Sequence, residues 1–349
     1  MLTVLQKRNI RSLSSDELSV HLSEAGFPKF RVKQIIHWLW NNNSSDFSSM
    51  HNLGEALVKH LEESFYIDKL GTKYTQISRD KTIKCGFSTN EGHVIEGVLI
   101  PTATRMTACI SSQVGCSLSC LFCATGKLKL LKNLSPGEIV DQVVLLEQLA
   151  QEHYQQGLSN IVLMGMGEPL LNYNNVLTAV SILTDPNRYG ISPKRITLST
   201  AGISKMIRKL GDDQVRFNLA LSLHAADDEK RSEVMEINRS NDLDSLSEAL
   251  QYFHEKTQTR VTFEYILFKD FNDSLEDASK LAAFARCVPC KINLIEYNPI
   301  GDGKFQRSEV HKTEAFKTFL EERNLIVNVR RSRGKDIDAA CGQLANKIR

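Results

Sequence analysis

The 349-residue sequence has no apolar run near the ~18 residues that a membrane-spanning helix needs, and charges interrupt its start where a secretory leader would carry its apolar stretch. The expectation is a cytoplasmic protein that engages no membrane. Net charge is scarce as well: 43 Lys+Arg against 41 Asp+Glu leave +2, so only a local concentration of charge could announce a nucleic-acid partner. Eight cysteines are too few, and too unevenly spaced, for a disulfide framework over this length. In a reducing compartment, clustered cysteines read as metal or redox chemistry. Low-complexity linkers and short-period repeats are lacking. A content of 42% hydrophobic and 24% charged residues excludes disordered and fibrous classes. At ~100–200 residues per domain the length fits two domains, or one large barrel with an appendage.

About the first 65 residues carry helical periodicity. Ser14-Ser15-Asp16-Glu17 offers a capping box, Val32 to Trp40 an apolar stripe, and Leu53, Leu57, Val58, Leu61 and Phe65 mark a further amphipathic helix. Alternating segments from Thr82 to Thr89 and from Val94 to Ile100, joined through Asn90-Glu91-Gly92, predict a hairpin ending at Pro101. From about Met106 strands alternate with helices. Strands are expected at 107–111, 160–164, 195–199, 217–222, 261–267 and 292–297, and helices at 138–152, 175–183, 203–210, 243–257 and 275–286. Parallel neighbours need such crossovers, so six βα repeats imply a parallel sheet. Six is short of eight, which favours an open, partial barrel over a closed one or a Rossmann sheet.

Chemistry enters at Cys116, Cys120 and Cys123, spaced C-x3-C-x2-C directly after the first strand of the repeat. Three thiolates on one loop can hold three irons of a cubane cluster, whereas ferredoxins use four cysteines to saturate it. The missing ligand leaves one iron open to a substrate or cofactor. A structural zinc loop is the alternative, although such sites usually show paired C-x2-C units and four protein ligands. Gly165-Met166-Gly167-Glu168 follows an apolar strand, and its glycines allow close backbone approach to a ligand. As a phosphate loop it is weak, because the third glycine of G-x-G-x-x-G falls on Leu170. Taken alone, Cys109 and Cys341 read as buried structural thiols, Cys85 as an inward strand residue, and Cys287 with Cys290 as a structural pair at a helix-to-strand corner.

The cysteine loop opening a partial βα barrel resembles the radical S-adenosylmethionine (SAM) enzymes. Four ordered segments resemble, more narrowly, the RlmN/Cfr family of RNA adenine methyltransferases within that group. They are Cys109-Ile110-Ser111-Ser112-Gln113-Val114-Gly115-Cys116, Gly165-Met166-Gly167-Glu168-Pro169-Leu170, Ser222-Leu223-His224, and Asp336-Ile337-Asp338-Ala339-Ala340-Cys341-Gly342-Gln343-Leu344. The resemblance spans nearly the whole chain. It implies an α/β fold: a partial (β/α)6 radical-SAM barrel at 105–349 with the catalytic-cysteine tail, an N-terminal helical accessory domain at 1–68 in contact with RNA, and a β-hairpin linker region at 69–104. It also implies a four-iron, four-sulfur (4Fe-4S) cluster on Cys116, Cys120 and Cys123. SAM would be used twice per turnover, as methyl donor and as radical source, and would contact Gly167, Glu168, Ser199, Ser222, Leu223, His224 and Asn298.

The implied reaction reflects the base. Adenine carbon 2 is electron-poor and offers no nucleophile, so a radical route is required. By resemblance, Cys341 accepts a methyl group, a radical formed on that methyl adds to the base, and protein and RNA become covalently joined. Cys109 then attacks the Cys341 sulfur, which releases methylated RNA and leaves a Cys109–Cys341 disulfide for a thiol reductant to reopen. Glu96 is the implied proton acceptor. The implied partners are large-subunit ribosomal RNA at the peptidyl-transferase region, tRNA next to the anticodon, and an electron donor such as flavodoxin; the enzyme is expected to be a monomer. Two basic strips could meet phosphates: Arg105, Lys127, Lys129 and Lys132, and Arg330, Arg331, Arg333 and Lys335. Lys29, Arg31 and Lys33 precede a helix whose tryptophans, Trp38 and Trp40, read as core. Two alternatives stay open: a Cfr-type enzyme acting on carbon 8, and a non-catalytic, zinc-stabilised RNA-binding protein.

Overall fold

The computed structural model describes residues 7–346. Three helices come first: α1 (Ser15–Glu24), α2 (Arg31–Trp40) and α3 (Glu55–Ser64). Ser14 and Glu17 form the reciprocal capping box that starts α1. Leu18, Leu22, Ile35, Leu39, Leu57 and Leu61 point inward from the three helices and are buried.

A ten-stranded sheet follows, and its spatial order is its chain order. Strands β1 (Gly71–Ile77), β2 (Ile83–Ser88) and β3 (Val94–Pro101) are antiparallel and join β4 (Met106–Cys109). Then β5 (Asn160–Leu163), β6 (Ile196–Thr200), β7 (Asn218–Ser222), β8 (Val261–Leu267), β9 (Cys290–Glu296) and β10 (Val327–Arg330) run parallel to β4. The crossovers carry α4 (Pro136–Tyr154), α5 (Tyr173–Thr184), α6 (Ser204–Asp212), α7 (Asp228–Val234), α8 (Leu243–Thr257), α9 (Leu275–Phe284) and α10 (Val310–Glu321). All seven residues of β8 are buried, as a parallel strand covered on both faces requires.

The open parallel arrangement matches the expected partial barrel, and the structure adds to it. A seventh parallel strand, β10, closes the far edge, and a third antiparallel strand, β1, extends the hairpin. Both escape periodicity for physical reasons: β1 is an edge strand whose residues are exposed or half-buried, and β10 has four residues. Helix α7 escapes because Asp228–Val234 is short and mostly charged.

The helical region is clamped to the barrel by charge. Arg11 is buried and donates through both terminal nitrogens to Asp141 of α4 at 2.8 Å, while its guanidinium stacks 4.4 Å from the Trp40 ring centre. Asp141 also accepts from the Leu70 amide, tying the start of the antiparallel region to the same carboxylate.

Candidate active site

The carboxyl ends of the parallel strands surround an open cavity of about 1160 Å³, counting the space at its mouth. Barrel sites assemble at this end because the loops there are free to vary while the strands hold them in place. Cys116, Cys120 and Cys123 line the cavity from the loop after β4. The loop is pinned from two sides: the Leu121 amide donates to Val234 O at the end of α7, and the Ala124 amide donates to Gly342 O in the tail. Burial pushes the Cys116 thiol up to about 11 and raises Cys120 and Cys123 too, with Cys123 adding to the rise of both its loop partners and Cys341 to that of Cys123. A packed set of protonated thiols fits iron, which takes thiolates and displaces their protons. Among the described residues no three His, Cys, Asp or Glu converge as they would on one ion. A cluster that offers each thiol its own iron does not require that convergence.

The residues expected to contact SAM come from the next strand ends. Gly167 has φ +93°, and a Cβ there would lie 2.5 Å from Gln113 Cβ, so only glycine fits. Glu168 is buried on the cavity wall and accepts from the Leu170 amide at 3.0 Å and the Ala201 amide at 2.7 Å. Burial pushes its carboxyl up to about 7, and no cation among the described residues is paired with it. That environment suits a ligand ammonium group. Ser199 and Ser222 line the same wall with their hydroxyls 3.4 Å apart. His224 sits at φ +57°, a strained conformation of the kind that clusters at functional sites. Its Nδ1 accepts from the Ile266 amide at 3.1 Å, so Nε2 carries the proton; burial, with the Arg231 charge adding, pushes the imidazole down to about 3 and keeps it neutral. Leu223 and Asn298 are not among the cavity-lining residues. Leu223 is a buried core side chain whose carbonyl accepts from Arg231. Asn298 donates to the Cys341 carbonyl at 3.3 Å, and its own buried Oδ1 has no partner, an acceptor left for a donor from outside the chain.

Cys109, at the end of β4, and Cys341, exposed on the tail, line the same cavity as free thiols. Burial, with Cys341 adding, pushes the Cys109 thiol up to about 12, and the Arg330 charge opposes that rise. Arg330 is itself held by Glu264 of β8 at 3.2 Å, and Glu264 by Asn293 Nδ2 at 2.8 Å. Sequence reasoning placed Arg330 only in a basic strip and passed over Glu264. The available signal was the single charge in an otherwise uncharged, wholly buried strand, which must find a partner.

Glu96 lies outside the cavity lining and fully buried. Its Oε1 meets the Tyr74 hydroxyl at 2.7 Å and Lys84 Nζ at 3.2 Å; its Oε2 accepts from the amides of Ala345 and Asn346 at 2.8 and 3.0 Å. Glu96 thereby anchors the end of the tail that carries Cys341. The basic strips are less free than their sequence suggests. Lys127 pairs with Asp302, Lys132 with Glu91 and Glu138, and Lys335 with Glu296. Cys85 is buried in β2, and Cys287 and Cys290 flank the start of β9, at the opposite end of that strand from the cavity. Trp40 is core, whereas Trp38 is partly buried and donates to Asn52.

Comparison with known proteins agrees with this arrangement. Residues 110–282 match the radical SAM superfamily, and residues 8–67 match the ribosomal RNA large subunit methyltransferase N-terminal domain. A probable dual-specificity RNA methyltransferase RlmN from Cytophaga hutchinsonii is 54% identical over 345 residues, covering 99% of this chain and 94% of its own. The dual-specificity RNA methyltransferase RlmN of Nitratiruptor sp. is 39% identical, covering 97% of this chain and 98% of its own. The crystal structure of a radical SAM methyltransferase from Sphaerobacter thermophilus superposes with a TM-score of 0.90 at 38% identity, covering 97% of this chain and all of that one. A non-catalytic RNA-binding role is thereby set aside, and the carbon-8 alternative is not favoured. The chain belongs to the RlmN family of dual-specificity RNA methyltransferases, within the radical SAM superfamily.

Proposed function

We propose that this enzyme methylates carbon 2 of adenosine in large-subunit ribosomal RNA and in tRNA, with Cys341 as methyl carrier and Cys109 as the group that releases the product. The observation that carries the reading is the convergence of both free thiols on the cavity lined by the three-cysteine loop. When bound at Cys116, Cys120 and Cys123, the 4Fe-4S cluster with SAM supplies the methyl group and the one-electron chemistry that an electron-poor ring carbon needs. Glu168, Ser199, Ser222, His224 and the Gly167 backbone hold and orient SAM, and the backbone of Leu223 and the side chain of Asn298 fix the segments on either side.

Cys341 accepts the methyl group on sulfur and later holds the RNA through that carbon. Release follows when Cys109 attacks the Cys341 sulfur: a sulfur–sulfur bond forms, the sulfur–carbon bond breaks, and its electron pair leaves on the RNA carbon, which takes up a proton. Two electrons from a thiol reductant reopen the disulfide. Radical addition leaves an unpaired electron on the ring; that electron departs to the one-electron chain that supplied it, and Glu96 takes the base's proton once the Ala345 and Asn346 amides leave its Oε2, a role that couples proton transfer to movement of the tail. A target adenine inside folded RNA must be unstacked to reach Cys341. The same reading makes it a cytoplasmic monomer served by a flavodoxin-type electron donor, with its RNA substrates as the support for the compartment.

The decisive variant is Cys109→Ala. Removing a small buried thiol costs little stability beside the loss of a large core side chain. The variant is expected to fold and methylate Cys341, and then to stall with RNA attached to Cys341, visible as a persistent protein–RNA band on denaturing gels. Cys287→Ala and Cys290→Ala turn over normally. Multiple turnover by Cys109→Ala would assign the release step to another group.

A further inference from the structure

Three cationic side chains are buried among the described residues: Arg11, Lys84 and Arg231. Arg11 is paired with Asp141 and Lys84 with Glu96, at 2.8 and 3.2 Å. Arg231 has no carboxylate partner. Its donors are spent on neutral oxygens: Nε on the Leu223 carbonyl at 3.1 Å, Nη1 on Asn238 Oδ1 at 2.6 Å and Asn241 O at 3.5 Å, and Nη2 on the carbonyls of Ala201 and Ser222. Taking a charge out of water without a counter-charge costs several kcal/mol in real proteins. A full set of hydrogen bonds lessens that cost but puts no carboxylate in contact with the charge: Asp228 acts on Arg231 only from beyond Asn238, whose Nδ2 donates to Asp228 Oδ1 at 2.9 Å while its Oδ1 accepts from Arg231.

The surroundings show where the missing anion belongs. Arg231 lies on α7, whose last residue, Val234, accepts from the Leu121 amide inside the cysteine loop. Val234 and Met235, which follow Arg231 on the same segment, pack with Phe122, Cys120 and Cys123 in one apolar cluster, so the segment that carries the guanidinium forms part of the wall around those thiols. Glu168 is not the partner: it lies across the Ala201 peptide, accepting from Ala201 N while Arg231 donates to Ala201 O, and its carboxyl is not held down.

We propose that Arg231 is the built-in counter-charge of the cluster bound at Cys116, Cys120 and Cys123, a positioning residue that raises the cluster's reduction potential. This rests on the reading that those three thiols hold the cluster. Three thiolates outweigh the charge of an oxidised four-iron core, and reduction adds a further negative charge, so a fixed cation in a low-dielectric wall favours the reduced state. The same guanidinium ties down the carbonyls of Ala201, Ser222 and Leu223, which links the charge to the strand ends that face SAM.

The test uses anaerobically reconstituted full-length protein. Iron and sulfide content of the native chain and of a Cys116→Ala, Cys120→Ala, Cys123→Ala variant comes first and judges the cysteine reading alone. Redox titration followed by electron paramagnetic resonance then compares native protein, Arg231→Lys, Arg231→Met and Asn238→Asp. Asn238→Asp gives Arg231 a carboxylate in contact and so cancels the charge without deleting the side chain; because the Asn238 amide also donates to Asp228 and Ser232, the variant is compared with Asn238→Asp combined with Asp228→Asn, which removes the facing carboxylate. Both neutralising variants are expected to shift the one-electron equilibrium at least tenfold toward the oxidised cluster, a midpoint about 59 mV lower. Arg231→Lys is expected to stay near native. Should Arg231→Met fail to fold, Asn238→Asp decides; should neither neutralised protein take up a cluster that Arg231→Lys loads, the counter-charge is upheld. A native midpoint in Asn238→Asp, or an Arg231→Lys protein as impaired as Arg231→Met, overturns it.

Discussion

Glu96 is engaged on both carboxylate oxygens. One meets Tyr74 and Lys84, the other the last described amides of the tail, and Glu96 and Lys84 themselves are buried. Replacing it by Gln leaves Lys84 buried without its counter-ion, and breaking one side of a buried pair costs about 3–5 kcal/mol. Urea unfolding of Glu96→Gln is expected to show a loss of that size, and Glu96→Gln combined with Lys84→Met is expected to recover part of it, since the orphaned charge is gone. Hydrogen exchange at Ala345 and Asn346 rises in the single variant. Unchanged exchange there would mean that the tail is held by Thr125, Asn298 and Gln343 without help from Glu96. At this scale the cysteines were legible, because their spacing lies on one loop or in one motif. The tail partners of Glu96, the Ala345 and Asn346 amides, were not, because they lie about 250 residues further along the chain.

Among the elements, the helices of the N-terminal region offer a titration test. His21 of α1 and His60 of α3 face each other with Nε2 atoms 3.0 Å apart, and His21 also meets the edge of Phe65. Burial, and then the neighbouring His60, lower the His21 pKa below its usual 6.5. A depressed folded-state value means that the folded form resists protonation, so the contribution to stability is whole above pH 6.5 and is lost as the pH falls through the lower folded value. Thermal unfolding of the native chain is expected to show the helical region weakening on acidification through that window. His21→Gln, which does not titrate there, is expected to flatten the profile, and an equally steep profile in that variant would exclude the pair as its source. The legibility of elements followed burial. Helix α8 and strand β8 were predicted with their observed bounds, since one shows a strong 3.6-residue period and the other an unbroken buried run. Strand β1 and helix α7 were lost, because an exposed edge and a short charged helix carry no such pattern.

Across the whole molecule, Asp141 joins three regions. It receives Arg11 from the helical start, the Leu70 amide from the approach to β1, and it belongs to α4 of the barrel. Asp141→Ala leaves Arg11 buried and unpaired, with an expected loss of about 3–5 kcal/mol. Because the pair spans the region boundary, the variant is expected to unfold its helical region before the barrel, giving two transitions in place of one. Its affinity for substrate RNA falls while SAM binding, read by calorimetry on reconstituted protein, stays near native. A single native-like transition would show that apolar contacts alone couple the two parts.

Fold class and the three-cysteine loop were readable in order along the chain, because periodicity and motif spacing are local properties that survive without a structure. Cys109, Cys341 and the strand-end glycine and serine positions were singled out by their resemblance to family motifs, and the structure brings them to one cavity. Tertiary structure alone decided how those pieces are held: that the tail is fastened at Glu96 and Asn298, that Arg330 and Glu264 stand beside the Cys109 and Cys341 thiols, and that Arg231 is buried without a carboxylate. Each of these depends on a charge or an amide meeting a partner from a distant segment. Whether a buried charge is compensated is a property of three-dimensional neighbours and dielectric, and nothing in residue spacing encodes it.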